Sequence, residues 1–277
     1  MGKMVCAIAV SSTQLKPASM LKTVSYLAPN WFAYYQAVTD ALARSLSVEI
    51  QLQQGVCDPL VDPLLLQDQL DLAFICGLPA MRYHHAHPQQ LQVLATPVLT
   101  GDRYHDRPIY FSDVIVKATR SAQHFSDLAG QVFCYNDRGS NSGYNLVRWT
   151  VLQHGLDQNF WDTQIESGSH QRSLEWVISG QADWAAIDST VLDQAWRDHP
   201  EWCSLIKVVT ALGPSPMPPI VVATHLGTTH IQSLQHALLQ PDHLLQSAMA
   251  IAGVQRYVLQ TWQDYGILAE QYRLVEG

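Results

Sequence analysis

No run of about 18 uninterrupted apolar residues occurs in the chain, so a membrane-crossing helix is not expected. Basic residues are scarce. Sixteen Lys and Arg stand against 24 Asp and Glu, a formal net charge of −8, and no basic cluster marks a footprint for duplex DNA or an anionic membrane. Aromatic and basic residues do not interleave, which argues against single-stranded nucleic acid as a partner. The five cysteines are odd in number and none are spaced C-x-x-C, so neither a disulfide framework nor a structural zinc site is indicated. There is no internal repeat and no low-complexity segment. What remains is 277 residues with 47% hydrophobic content, enough for one large domain or two modest lobes.

The apolar pattern predicts an α/β protein. Strands are read at 21–27, 48–52, 72–75 and 91–99, with helices at 31–46 and 64–70, an order that implies a mostly parallel layer. A second α/β unit is read over 109–213. Its strands fall at 110–117, 131–135, 164–166, 185–188 and 204–210, and its helices at 124–129, 142–154, 171–179 and 191–196. Gly213–Pro219 is dense in proline and reads as a rigid crossover. Beyond it one strand, 220–223, precedes helices at 229–239, 244–252 and 254–265, and no strand is left for a third sheet. The tail therefore packs on the first unit. The lobes are 21–108 with 214–277, and 109–213; residues 1–20 form a leader or signal remnant around a short apolar run at 4–10.

Three stretches place chemistry at strand ends. In Asp137-Arg138-Gly139-Ser140-Asn141-Ser142-Gly143-Tyr144 a Gly turn opens a helix with small polar residues. Free N–H groups and the dipole at a helix start favour an anion, although Ser and Asn are also ordinary N-caps. The stretch is not a nucleophile elbow, because Asn141 stands where the serine belongs, and no Gly-Lys-Ser/Thr makes it a P-loop. Glu166-Ser167-Gly168-Ser169-His170 repeats the design, and the dipole there disfavours cationic His170 while leaving a neutral imidazole able to donate. In the third, Asp188 closes an apolar strand ahead of a helix. Ligands of open α/β sheets bind outside the carboxyl ends of strands, so the three could converge on one pocket. His84-His85-x-His87 lacks a partner set for a metal and reads as a polar loop.

Asp71-Leu72-Ala73-Phe74 with Gly77-Leu78-Pro79-Ala80, then 140–144, Gly168-Ser169-His170, and Ala182-Asp183 with Ile187-Asp188-Ser189 occur in an order that resembles the phosphate/phosphite/phosphonate substrate-binding proteins of ABC transporters, the PhnD-like group. The resemblance implies a type II periplasmic-binding-protein fold: two α/β lobes, two crossovers and a ligand cleft. It implies that Ser140, Asn141 and Ser142 form an anion clamp continued by Gly143 and Tyr144, that His170 contacts a phosphonyl group, and that Asp188 faces the cleft. Tyr26 and Asn30 would face the ligand from the other lobe. Three departures stand out. Asn141 replaces a threonine, a pocket tyrosine is replaced near Ile75-Cys76, and Pro218-Pro219 lacks the aspartate of Pro-x-Asp-Pro. Aminophosphonate binding, which would use such an acid for the amine, is therefore not expected.

The expected activity is capture of a small oxyanion-bearing solute, such as phosphite, phosphate or a phosphonate. No cofactor, metal or catalytic residue is expected. The protein is expected to be a monomer that docks on an ABC permease if exported. The alternatives are a cytosolic sensor, or an enzyme on the same fold using His170 and Asp188 as an acid–base pair.

Overall fold

The computed structural model describes residues 20–156 and 160–276. The expected leader, apart from Met20, lies outside them, as does Cys6.

β1 (Leu21–Ser25) is buried at four of five positions, as a strand covered on both faces must be. A tight turn, Pro29–Trp31, starts α1 (Phe32–Leu46). Then come β2 (Ile50–Gln54), α2 (Pro63–Leu66), β3 (Leu72–Phe74), α3 (Gly77–Ala86) and β4 (Leu91–Leu99). The chain crosses over to β5 (Ile109–Lys117), β6 (Val132–Tyr135), α4 (Leu146–Gln153), β7 (Thr163–Glu166), α5 (His170–Ser179), β8 (Trp184–Asp188), α6 (Ser189–Asp198) and β9 (Ile206–Pro216). It returns as β10 (Ile220–Ala223), α7 (Thr228–Leu239), α8 (His243–Ala252), β11 (Val254–Val258) and α9 (Gly266–Glu276).

Two sheets result. One has six strands in the order β11-β4-β10-β3-β1-β2, the other five in the order β7-β6-β8-β5-β9. The crossovers run side by side, with Ile109 paired to Pro216 and Tyr110 to Ser215. Each sheet has its own core. Val38, Leu42, Leu72, Leu94 and Leu234 are buried together on the first. On the second, Phe133 stacks on Trp184 at 4.2 Å, while Ile115, Cys134, Leu174 and Leu192 fill the opposite face.

The structure corrects several expectations. The first sheet is mixed, because β10 and β11 run antiparallel to their neighbours. β11 occupies part of 254–265, expected helical; a bulge between Val254 and Arg256 breaks the alternation that would have marked a strand. The last helix is α9, beyond that stretch. α3 was not foreseen from the apolar pattern. Pro79 falls in the first turn, where its missing N–H has no intrahelical acceptor to lose. His84 and His85 end this helix rather than forming a loop, and His84 stacks on Trp262 at 4.4 Å. Among the described residues no group of three His, Cys, Asp or Glu could hold a metal. Most of the proline-dense crossover is strand: β9 runs on to Pro216. It is an edge strand, so Pro214 and Pro216 can leave their missing N–H groups on the unpaired side.

The tail packs on the first sheet's side, with Tyr265 and Leu268 buried against α3. It also reaches the second half, where Arg148 of α4 donates to the Val275 carbonyl at 2.6 Å and pairs with Glu276. Gly77 makes the first contact feasible. A Cβ there would lie 2.8 Å from Leu268 Cδ1 and 3.1 Å from Tyr265 Cδ1. Gly77→Val should therefore cost about 1–3 kcal/mol through overpacking. At about 2–4 °C per kcal/mol, the fall should be clear in a melting curve. An unchanged midpoint would mean that α9 is not seated on α3.

Candidate functional site

A cavity of about 630 Å³ lies between the sheets. Its walls are the segments that follow β1, β2 and β3 on one side and β6, β7 and β8 on the other, together with Met217 and Pro218 of the second crossover. The carboxyl ends of the strands thus face one another, and the helices that follow them begin at the cleft.

Ser140 caps the turn after β6, its Oγ accepting from Gly143 N–H at 3.1 Å. The turn Asn141–Asn145 is π-helical and runs into α4. Ser142 Oγ lies 3.2 Å from His170 Nε2 across the cavity floor, and the Ser142 carbonyl accepts from Ser112 Oγ at 2.7 Å. Ser169 caps α5, which His170 opens. His170 is only 8% exposed, and burial pulls its pKa down to about 4, so the ring is neutral at physiological pH. The low value follows from burial, where the sequence had suggested the helix dipole. Among the described residues Nδ1 has no partner. Asp188 caps α6, its Oδ1 accepting from Thr190 N–H at 2.8 Å and Thr190 Oγ1 at 2.7 Å; burial pushes its pKa up to about 6.

The wall of the cavity also carries acids. Asp58, Asp137, Glu166 and Asp188 line it, against the single guanidinium of Arg138. Burial chiefly, with Asp58 and Glu166 nearby, pushes Asp137 up to about 6, partly offset by the Gly139 and Ser140 N–H groups. The lips meet here: one point beside Gly139 lies 3.2 Å from Asp137 Oδ1 and 3.5 Å from Asp58 Oδ2, which belong to opposite halves.

Of the residues chosen from sequence, Ser140, Ser142, His170, Asp188 and Tyr26 line this one cavity. Tyr26 presents its ring while its hydroxyl donates to Asp62 at 2.7 Å. The other four do not line it. Successive side chains of a helical turn point different ways, so neighbours cannot all face one cleft. Asn141 is wholly buried and turned toward the crossovers. Gly143 sits behind the wall, where a Cβ would collide with Asn136 Oδ1. Tyr144 packs on Tyr135 at 4.5 Å. Asn30, in the turn before α1, donates to the Val191 carbonyl at 3.1 Å, beside the Trp31 Nε1 bond to Thr190 at 2.9 Å. These contacts join the two halves. The acid–base pair considered for an enzyme is not formed either: His170 meets Ser142, and Asp188 meets Thr190.

Gln54, Cys57, Asp58 and Cys76 line the cavity without having been foreseen as site residues. Gln54 ends β2 and Cys76 follows β3, so strand-end position was the signal available. At the position where the resemblance placed a tyrosine, Ile75 is fully buried and Cys76 stands on the wall. Burial pushes the Cys76 thiol up to about 11, with the Asn141 and Leu78 N–H groups pulling the other way.

Two α/β halves, paired crossovers and a polar cleft between strand ends define a solute-binding protein of the type II periplasmic kind. Residues 25–265 match the family described as ABC transporter, phosphonate, periplasmic substrate-binding protein, and the chain belongs to that family. It is similar in structure to a binding-protein component of the ABC phosphonate transporter of Pseudomonas aeruginosa, at 14% identity and TM-score 0.80, over 93% of this chain and 86% of that one. It is likewise similar to PhnD1 of Prochlorococcus marinus in complex with methylphosphonate, at 17% identity and TM-score 0.81, over 93% and 98%. The aliphatic sulphonate binding protein SsuA of Escherichia coli shares the fold at 13% identity and TM-score 0.61, over 94% and 92%. At such identities the likeness establishes the fold. No curated protein sequence matches the chain.

The perturbed groups give opposing pH responses. Asp137 and Asp188 are raised, so their contribution to stability is full below the unfolded carboxylate range and is lost as pH rises through about 6. His170 is lowered, so its contribution is full above the unfolded value and is lost as pH falls toward about 4. Relative to wild type, His170→Gln should gain thermal stability as pH falls from about 6.5 to about 4, and Asp137→Asn should lose it as pH falls from about 6 to about 4, each span running between that group's unfolded and folded values. Equal slopes in both variants would refute the assignment.

Proposed function

We propose that this protein captures a phosphonate whose organic part carries a positive charge, and delivers it to an ABC permease outside the cytoplasm. It acts as a monomer without chemistry of its own. Among the described residues no helix is long and apolar enough to cross a membrane, so on this reading transport is the permease's work. The lobes 21–108 with 214–277, and 109–213, close on the ligand, which contacts both only when they are shut.

One observation supports the reading: a single cavity is lined both by neutral donors and by carboxylates. Ser140, Ser142 and neutral His170, with the N–H groups of the helix starts, hold the oxyanion. Asp58, Asp137 and Glu166 face the remainder of the ligand. Closure sets Asp58 against Asp137, and a cation between them relieves that repulsion. The crossover lacks its aspartate, but the lips supply acids that sequence reading had not connected with an amine.

The test is a thermal-shift and calorimetric panel on ligand-stripped protein. It compares methylphosphonate, ethylphosphonate, 2-aminoethylphosphonate, phosphate, phosphite and methanesulfonate. At a hundredfold excess over Kd a ligand stabilises by about 2.7 kcal/mol. 2-Aminoethylphosphonate should bind about tenfold or more tighter than ethylphosphonate, a preference lost in Asp58→Asn with Asp137→Asn, as for a charge-assisted contact. Ser142→Ala and His170→Ala should each weaken binding about tenfold without unfolding the chain. Equal binding of the two phosphonates would remove the cationic part of the reading, and a response to neutral compounds alone would remove the rest.

A further inference from the structure

We infer that Asn141 is a positioning residue, which ties the anion clamp to the hinge so that the hinge sets where the clamp points. The inference rests on the reading of Ser140, Ser142 and His170 as the clamp. Asn141 stands in the middle of the clamp sequence, yet it is 0% exposed and its side chain leaves the cleft. Its Nδ2 donates to Tyr110 Oη at 2.9 Å and to Ser215 Oγ at 3.3 Å.

These two acceptors are directly opposed partners in the ladder, Tyr110 on β5 and Ser215 on β9. Each belongs to a different crossover between the halves. One amide group therefore reads the rung at which both crossovers enter the second half. Tyr110 is 1% exposed, and its ring packs in the first sheet's core with Ile109 and Met217 while its hydroxyl reaches the clamp. Two residues on, Ser112 of the same strand donates to the Ser142 carbonyl at 2.7 Å, fixing the next clamp residue to β5 as well. A rotation of the halves that twists this rung must move Asn141, and with it the backbone from which Ser140 and Ser142 project.

The arrangement suits an amide at this position better than the threonine that the resemblance implies. A threonine hydroxyl is too short to span two strands, whereas the asparagine amide has two hydrogens to share between them. It also accounts for an otherwise costly burial. Asn141 Oδ1 is buried and has no partner among the described residues, a burden that the paired donor on the same group has to outweigh.

The experiment compares Asn141→Ala, Tyr110→Phe and Ser215→Ala with Tyr257→Phe. The last removes a hydroxyl from the Tyr34–Tyr257 pair, which is 2.7 Å long and remote from the clamp. Amide hydrogen exchange of residues 141–146 is followed in ligand-free protein, and methylphosphonate dissociation is followed separately. Tyr110→Phe should speed clamp exchange about five- to tenfold, the amount one lost buried hydrogen bond accounts for, and Asn141→Ala, which loses both bonds, by at least as much. Ser215→Ala should have a smaller effect, because its bond is longer. Asn141→Ala combined with Tyr110→Phe should be no faster than Asn141→Ala alone. Tyr257→Phe should lower the melting temperature and leave the clamp amides at the wild-type rate. Methylphosphonate should dissociate faster from the first two variants only.

Wild-type exchange at 141–146 in Tyr110→Phe would overturn the tie, and this conservative variant keeps the test alive if Asn141→Ala fails to fold. Clamp amides that loosen as expected in a protein binding no phosphonate would support the tie and sink the functional reading instead.

Discussion

Every helix begins with backbone N–H groups that have no partner within it, and this molecule directs several such beginnings at one cleft. α3 starts there from the first half; the turn into α4, α5 and α6 start there from the second. With Arg138 the only guanidinium or ammonium on the wall among the described residues, what the site offers an anion is oriented dipoles and neutral donors. Such donors discriminate by geometry more than by charge. That demands rigid placement of each donor, and the caps supply it: Ser140, Ser169 and Asp188 each satisfy one N–H while fixing the turn they belong to.

The two sheets can present these ends to each other only because the chain crosses between them twice at neighbouring places. The crossovers are joined as a ladder, not left as separate linkers, so the halves are constrained to turn about one axis. Further contacts lie around it. Trp31 and Asn30 reach α6, Arg103 pairs with Asp113 of β5 at 2.6 Å, and α9 spans from α3 to Arg148 on α4. The halves thus meet along more than the crossovers, and the cleft opens against that resistance.

Much of this was legible in the sequence for an identifiable reason. β4 was read to the residue, because a long apolar run bounded by polar segments admits little else. Ser140, Ser142, His170 and Asp188 could be grouped because parallel strands end on one side of a sheet, so strand-end residues meet without any knowledge of distance. Other features depended on geometry that no pattern carries. The bulge that hides β11 and the proline-tolerant edge that lets β9 continue are properties of pairing. The direction of Asn141 depends on whether its turn winds as α or π, a matter of one residue's rotation about the axis. Asp58 and Cys76 come from loops of the first half, and only the folded cleft reveals what they face.

Cys76 has a consequence for durability. A thiol on the wall of a binding cleft is exposed to whatever oxidants the surrounding space contains, and the nucleophile in such chemistry is the thiolate. Helix starts ordinarily favour that anion. Here burial prevails and the pKa stands at about 11. At neutral pH the reactive form is then scarce. Burial on that wall thus keeps this sulfur chemically quiet at neutral pH, although it stands where a ligand would pass.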